Sequence, residues 1–520
     1  MTILKLKQPL QLFLLLIYIS FGTLYAQNGT LDLAFGNNGL VTTTTGEDQE
    51  VFYSIIEVDN NKVIAAGGAN YIATLIRYNQ DGSIDTSFGT NGILEIDFGG
   101  TREEIEDMIR QPDGKILITA ESKNTNDDYD FIVARLNEDG SYDTSFGNNG
   151  ISVISYGSST DERPNAITLA PDGKIIVAGN TEGGLIWQTA IARLNADGSL
   201  DTSFSNDGKQ NLSITNRSDY LNGVEVTFDG KIIAAGGGVF NSGSNQGRMA
   251  IVRYLDNGEL DPSFGVNGTV TLNVLDASCI GESLISLPDG KSLIAGYANG
   301  IGIQRSFAII RLDINGDLDP TFGTNGSVVT VVPSVLAQIF KIKLDENNSI
   351  FAVGESAISG QAVDFTIAKY SYDGQIDTNF GTNGIATTDF FGVHDRAWDF
   401  IIHDNQLTVA GFTMQASPDE DFALARYDLD DNLSISEHSL KGNFEISPTV
   451  TNSIITIKSL TNSKNATISV IDITGKVVYN ETIEINQTPK SIHLERFDSG
   501  LYIVKINTDS QVETHKIILK

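Results

Sequence analysis

Between residues 28 and 435 the chain alternates short apolar runs with clusters of Gly, Pro, Asn and Asp, and the same order of runs recurs along its length. One copy reads Asn165 to Leu169, a Pro171-Asp172-Gly173 turn, Lys174-Ile175-Ile176-Val177-Ala178-Gly179, then Ala190-Ile191-Ala192-Arg193-Leu194-Asn195, a loop from Asp197 to Gly208, and Gln210 to Ile214. Runs this short, rich in β-branched residues and bounded by turn formers, predict strands joined by tight turns. Each copy is therefore expected to be a four-stranded antiparallel sheet. The middle runs are almost continuously apolar, which predicts burial on both faces. A sheet covered on both sides needs neighbouring sheets, and radial stacking of blades supplies them.

The copies are marked by a signature Asp followed three residues later by Phe: Asp32/Phe35, Asp85/Phe88, Asp143/Phe146, Asp201/Phe204, Asp261/Phe264, Asp319/Phe322 and Asp377/Phe380. The period is about 58 residues, a length that defines a repeat architecture. The seventh copy is split. Three strands near Ala397 to Ile402, Gln406 to Gly411 and Asp421 to Tyr427 lack a signature after them, while the N-terminus opens with one, followed by a run from Leu40 to Thr45. Joining them closes a ring and removes free sheet edges. The fold predicted for residues 27–435 is an all-β, seven-bladed β-propeller closed by the N-terminal strand. An open solenoid is the alternative, and it would need capping repeats at its ends.

Charge narrows the partners. With 66 Asp and Glu against 34 Lys and Arg, the net charge of -32 argues against nucleic acid and anionic lipid. The single Cys279 cannot form an intrachain disulfide and reads as a small core residue. Residues 1–26 differ from the rest: Lys5 and Lys7 precede the apolar stretch Leu10 to Ser20, and Leu24-Tyr25-Ala26 ends on a small residue, the pattern of a secretory signal peptide. The stretch is short for a spanning helix, so no transmembrane segment is expected in the mature chain.

Eight residues before each signature Asp stands a base: Arg77 before Asp85, Arg135 before Asp143, Arg193 before Asp201, Arg253 before Asp261, Arg311 before Asp319 and Lys369 before Asp377. Arg426 has no local Asp, and ring closure assigns it Asp32. A base ending a buried strand needs a carboxylate, so these pairs are read as a structural latch. The loop Asn79-x-Asp81-Gly82-x-x-Asp85 also resembles calcium-binding propeller loops, in which several oxygens converge on the ion. A guanidinium where such a loop starts would repel a cation, and no cofactor is expected.

Catalytic arrangements are missing from the motifs. His394 and His403 lack metal-ligand spacing, and Gly300-Ile301-Gly302 lacks the rest of a dinucleotide fingerprint. No enzyme activity is expected. The step from signature base to signature Phe is constant, whereas the second-to-third strand connection varies in length, and binding residues favour loops on a rigid frame. In a propeller those connections share a face with the interblade turns. That face is the candidate recognition surface, with Asp161, Arg163, Arg217, Asp219, His394, Asp395 and Arg396 in the turns and Trp187, Phe240 and Tyr297 as anchors for a sugar or a protein.

After Ser434 the rhythm changes. Runs at Ile454 to Lys458, Thr467 to Ile471, Lys476 to Asn480, Lys490 to Leu494, Leu501 to Asn507 and Thr514 to Leu519 predict a small β-sandwich. Ser447-Pro448, Ile471-Asp472-Ile473-Thr474-Gly475-Lys476-Val477-Val478, Ser499-Gly500-Leu501-Tyr502-Ile503-Val504-Lys505-Ile506 and Lys516-Ile517 follow in order. Residues 441–520 with these landmarks resemble the type A sorting domain of the Bacteroidetes type IX secretion system; the family's opening Asn-Pro is Ser-Pro here. The resemblance implies recognition by the secretion machinery and a surface-attached or released product. Residues 28–435 resemble the delta-60 repeat proteins, which implies a propeller and adds no active site. The function expected is a secreted binding or adhesion module for glycan or surface protein. An envelope spacer without a ligand and a hydrolase using the acidic loop face are the alternatives.

Overall fold

The computed structural model describes residues 28–429 and 444–519 apart from short segments such as 240–246 and 358–361. The signal peptide expected over 1–26 lies outside the described residues. The chain divides into two compact units, Met1–Leu433 and Ser434–Lys520.

The first unit contains seven antiparallel sheets among the described residues. Six are meanders of four consecutive strands, the first being Glu50–Val58, Lys62–Ala69, Ile72–Tyr78 and Ile93–Ile96. The seventh takes Asp395–His403, Gln406–Ala416 and Asp419–Asp428 from the end of the unit and Leu40–Thr43 from its beginning, with Val41 opposite Leu424. A further pair of residues, Thr30–Leu31, extends the same edge beside Tyr427 and Asp428. The fourth strand of this sheet is shorter than the run Leu40 to Thr45, because the Thr45 amide turns to donate to the Glu50 carboxylate at 2.6 Å.

Sheets pack through apolar side chains. Ile64, Ala66 and Leu75 of sheet one meet Ile105, Ile118 and Ile132 of sheet two in one buried cluster. All seven signature Phe side chains are buried, each contributing about 1.5–3 kcal/mol. The first strands of all seven sheets line one axial cavity of about 560 Å³, through residues that include Ile55, Asp107, Ile167, Val224, Leu284, Ile342 and Ile401. At the axis the Ser54 hydroxyl lies 3.2 Å from Asp107 Oδ1 and 3.3 Å from Asp399 Oδ2, tying sheets one, two and seven together. This is a closed propeller, and the open solenoid is set aside.

Every first strand carries a bulge at the same place, between Phe52 and Ser54, Ile105 and Asp107, Pro164 and Ala166, Leu221 and Gly223, Gly281 and Ser283, Ile339 and Lys341, and Ala397 and Asp399. A bulge leaves one residue unpaired and re-aims its side chain. The facing second strand makes room with a glycine: a Cβ on Gly179 would stand 2.0 Å from the Arg163 carbonyl oxygen. Glycine holds that position in six sheets, and Ala120 holds it in sheet two.

Among the described residues the second unit has two sheets. One joins Phe444–Ser447, Ile454–Ser459 and Lys490–His493; the other joins Val450–Thr451, Val512–Leu519, Gly500–Asn507, Lys464–Asp472 and Val477–Ile485. Ile455 and Ile457 of one share a core with Ile468, Val504 and Ile517 of the other. The two short strands at Phe444 and Val450 escape the sequence pattern because neither is long enough to show alternation.

Candidate functional site

The two faces of the propeller differ in chemistry. On the signature face Arg77, Arg135, Arg193, Arg253 and Arg311 place Nε 2.6–2.8 Å from Oδ2 of Asp85, Asp143, Asp201, Asp261 and Asp319. Lys369 Nζ lies 3.2 Å from Asp377. Arg426 reaches Asp32 at 2.7 Å through Nη2. The structure adds two partners that sequence spacing missed. Lys62, Lys115, Lys174, Lys231 and Lys291, each just after its first turn, bring Nζ to 2.8–3.1 Å from the same Asp oxygen. Each Arg also spans to the next sheet: Arg135 Nη1 donates to the Ala196 carbonyl at 2.6 Å and Arg311 Nη1 to that of Tyr372 at 2.7 Å. The guanidinium carbons lie 4.3–5.0 Å from the signature Phe ring centroids. Lys115 first, then Ser145 and Arg135, hold the Asp143 carboxyl well below the usual carboxylate range despite desolvation. These carboxylates are engaged with bases. Asp81, in the loop that resembles a calcium site, accepts from the Ser83 amide at 3.0 Å and its hydroxyl at 2.6 Å.

The opposite face is built differently. The residue left over by each bulge is Tyr53, Glu106, Asn165, Asn222, Glu282, Phe340 and Trp398, in ring order around the axis. Six of them stand three residues after the first residue of their strand and Phe340 four, on the side of the axial cavity nearer the interblade turns, and Asn222 itself lines the cavity. All except Phe340 are part-exposed. Neighbours touch. Asn165 Nδ2 lies 3.2 Å from Asn222 Oδ1, and Asn222 Nδ2 donates to Glu282 Oε2 at 2.6 Å. The Phe340 and Trp398 ring centroids are 4.2 Å apart, and those of Tyr53 and Trp398 5.3 Å. The ring thus has a polar arc on sheets two to five and an aromatic arc on sheets six, seven and one.

Burial shapes the acids of this mouth. It pushes Glu282 up to about 8, against hydrogen bonds from Asn222 and Gln338. Glu104 rises to about 7 through burial and the charge of Glu121, and Glu106 rises well above the usual range for the same reasons. Oxygens of Glu104, Glu106 and Glu121 lie within 4.8 Å of one another, as do those of Asp364, Asp389 and Asp395.

The predicted recognition residues scatter. Arg163 is on the rim, 45% exposed in its side chain, with its guanidinium 4.8 Å from the Tyr129 ring centroid and 5.8 Å from that of Trp187. Asp161 Oδ1 accepts the Tyr129 amide at 3.2 Å, and Arg217 is half-buried. His394 is exposed, and Arg396 is drawn to Glu355 at 2.5 Å. Trp187 and Tyr297 belong to strands, not to loop tips; the Tyr297 ring lies 4.1 Å from the Arg305 guanidinium. Phe240 lies outside the described residues.

Asp219 and Asp395 must be corrected. Both are completely buried, as first residues of their strands. Asp219 accepts the Ile214 and Thr215 amides at 2.8 and 3.0 Å, and Asp395 accepts the Phe390 amide at 2.8 Å. They anchor the interblade turn, as Glu50 and Glu103 do in sheets one and two. Cys279 holds this position in sheet five and is buried there.

The bulge ring was missed because its members differ in type from copy to copy. A signal for it exists: a glycine in an otherwise apolar second strand marks close approach by a neighbouring backbone.

Residues 59–88, 111–146, 170–204, 229–264 and 287–322 match the family described as a domain of unknown function (DUF5122) beta-propeller. Residues 445–520 match the secretion system C-terminal sorting domain. No curated protein matches the chain. Among solved structures, virginiamycin B lyase from Staphylococcus aureus is similar at 15% identity and a TM-score of 0.41, over 74% of this chain and 98% of that one. A protein of unknown function from Dyadobacter fermentans is similar at 12% identity and 0.39, over 75% and 98%.

Proposed function

We propose that this chain, whose repeats are of the DUF5122 beta-propeller type and whose residues 445–520 form a secretion system C-terminal sorting domain, is a non-catalytic glycan-binding module acting outside the cell. The sorting domain addresses the chain to type IX secretion, hence to the cell surface or the extracellular space. Among the described residues no helix is long and apolar enough to cross a membrane.

One observation carries the binding reading, the contrast between the faces. Signature-face carboxylates are tied up in ion pairs with bases that also bond to the next sheet, while the other face combines connections of unequal length with part-exposed aromatic, amide and carboxyl side chains. Such a mixture suits polyhydroxylated ligands, which present apolar ring faces and hydroxyls together. A glycan array probed with the secreted protein tests this. Binding to defined glycans is the expected result; hits on surface proteins alone would move the reading to adhesion, and no hit of either kind would leave the envelope spacer.

A hydrolase reading has one observation in its favour: Glu104 and Glu106 hold raised pKa values beside each other, as general acids do. It requires that glycan cleavage be detected and that Glu106→Gln abolish it.

A further inference from the structure

We infer that the ring of bulged residues is the glycan site itself, a pyranose-binding mouth that stacks one sugar ring on Tyr53 and Trp398 and takes its hydroxyls on Asn165, Asn222 and Glu282. The inference rests on the glycan reading above and goes beyond it in naming the site and the residues that hold the sugar.

The aromatic arc is preassembled. Trp398 is held between Phe340 and Tyr53, with centroids at 4.2 and 5.3 Å, yet keeps part of its surface open. A pyranose lays its axial C–H groups on such a surface, and because the rings already touch one another little side-chain entropy is lost on binding.

The polar arc is preassembled too, and its direction matters. Asn165 Nδ2 donates to the Leu221 carbonyl at 2.8 Å, and Asn222 Nδ2 to the Gly281 carbonyl at 3.1 Å as well as to Glu282. Gln338 Nε2 donates to Glu282 Oε1 at 2.9 Å. The amide donors are therefore committed to neighbouring sheets, and what this arc offers a ligand is mainly oxygen. Hydroxyl groups bring the donors that oxygen needs.

Isothermal titration of the full secreted chain tests the inference, with hexose hexamers as probes. At least one hexamer should bind. Trp398→Ala should weaken binding by about 30-fold, the scale of an anchor residue, and Asn222→Ala by about tenfold. Trp398→Phe, which keeps a ring in the arc and so guards against a misfolded variant, should weaken it less. Trp187→Ala on the rim should change it less than threefold. If wild-type protein binds no hexamer, the glycan reading and this inference fall together. Binding that survives Trp398→Ala and Asn222→Ala but not Trp187→Ala overturns the ring site and leaves the glycan reading standing.

Discussion

Asp32 and Arg426 are separated by 394 residues, and yet Arg426 Nε lies 2.9 Å from Asp32 Oδ2, the contact that Arg135 makes with Asp143 only eight residues away. Arg426 also donates to the Gln80 carbonyl of sheet one at 2.5 Å, continuing the sheet-to-sheet chain. The last latch is thus assembled from both ends of the propeller. In a double-mutant cycle Arg426→Ala and Asp32→Ala should couple by about 1–3 kcal/mol, as residues in one buried network do. Additive losses would mean that the ends are not joined through this pair.

Ring closure also rests on backbone pairing. Removing residues 28–43 deletes the fourth strand of sheet seven and exposes the edge of Asp419–Asp428. Thermal unfolding should show a large drop in Tm and increased aggregation, whereas a deletion that leaves Tm unchanged would contradict closure.

Acid should loosen the latches. The folded-state pKa values of Asp85, Asp143, Asp201, Asp261 and Asp319 are all depressed; in Asp85 hydrogen bonds from Lys62, Ser87 and Arg77 outweigh desolvation. A depressed pKa contributes stability that is present above the unfolded value of about 4 and is lost as pH falls below it. Denaturant midpoints should fall from about pH 4 downward, and Asp143→Asn should show a shallower fall from a lower starting point.

Glu282 works in the other direction. Its folded pKa is raised to about 8, so the proton it holds favours the folded state at low pH and that advantage fades as pH rises towards 8. Glu282→Gln should therefore flatten the decline in stability between pH 5 and 8. An unchanged slope would show that burial does not hold this acid protonated.

The bulge makes a steric demand. Gly179→Ala sets a Cβ 2.0 Å from the Arg163 carbonyl oxygen and 2.8 Å from Pro164 Cα, both backbone atoms that cannot swing aside. Unfolding experiments should record a loss of about 1–3 kcal/mol, the usual cost of overpacking. In sheet two, where Ala120 already faces the bulge, Ala120→Gly should cost less.

Much of this was legible before any coordinates. The Gly, Asn and Asp turns between apolar runs set the strands, and the spacing of Arg135 and Asp143 set a pair whose ends meet across one loop. The Lys partners were hidden because two whole strands separate Lys115 from Asp143, a separation that fixes nothing without knowing that both turns lie on one face. Asp219 and Asp395 looked exposed because charged residues between strands usually are; here the preceding loop turns its amides inward to meet them.

By itself the sequence determined the repeat, the ring with its split seventh copy, and the address carried by the tail, since each depends on local periodicity or on a short ordered motif. Only the tertiary structure decided where a ligand could sit. Tyr53, Asn222 and Trp398 come from sheets far apart in the chain and share no motif, and they become one site only because every first strand bulges at the same height around a common axis.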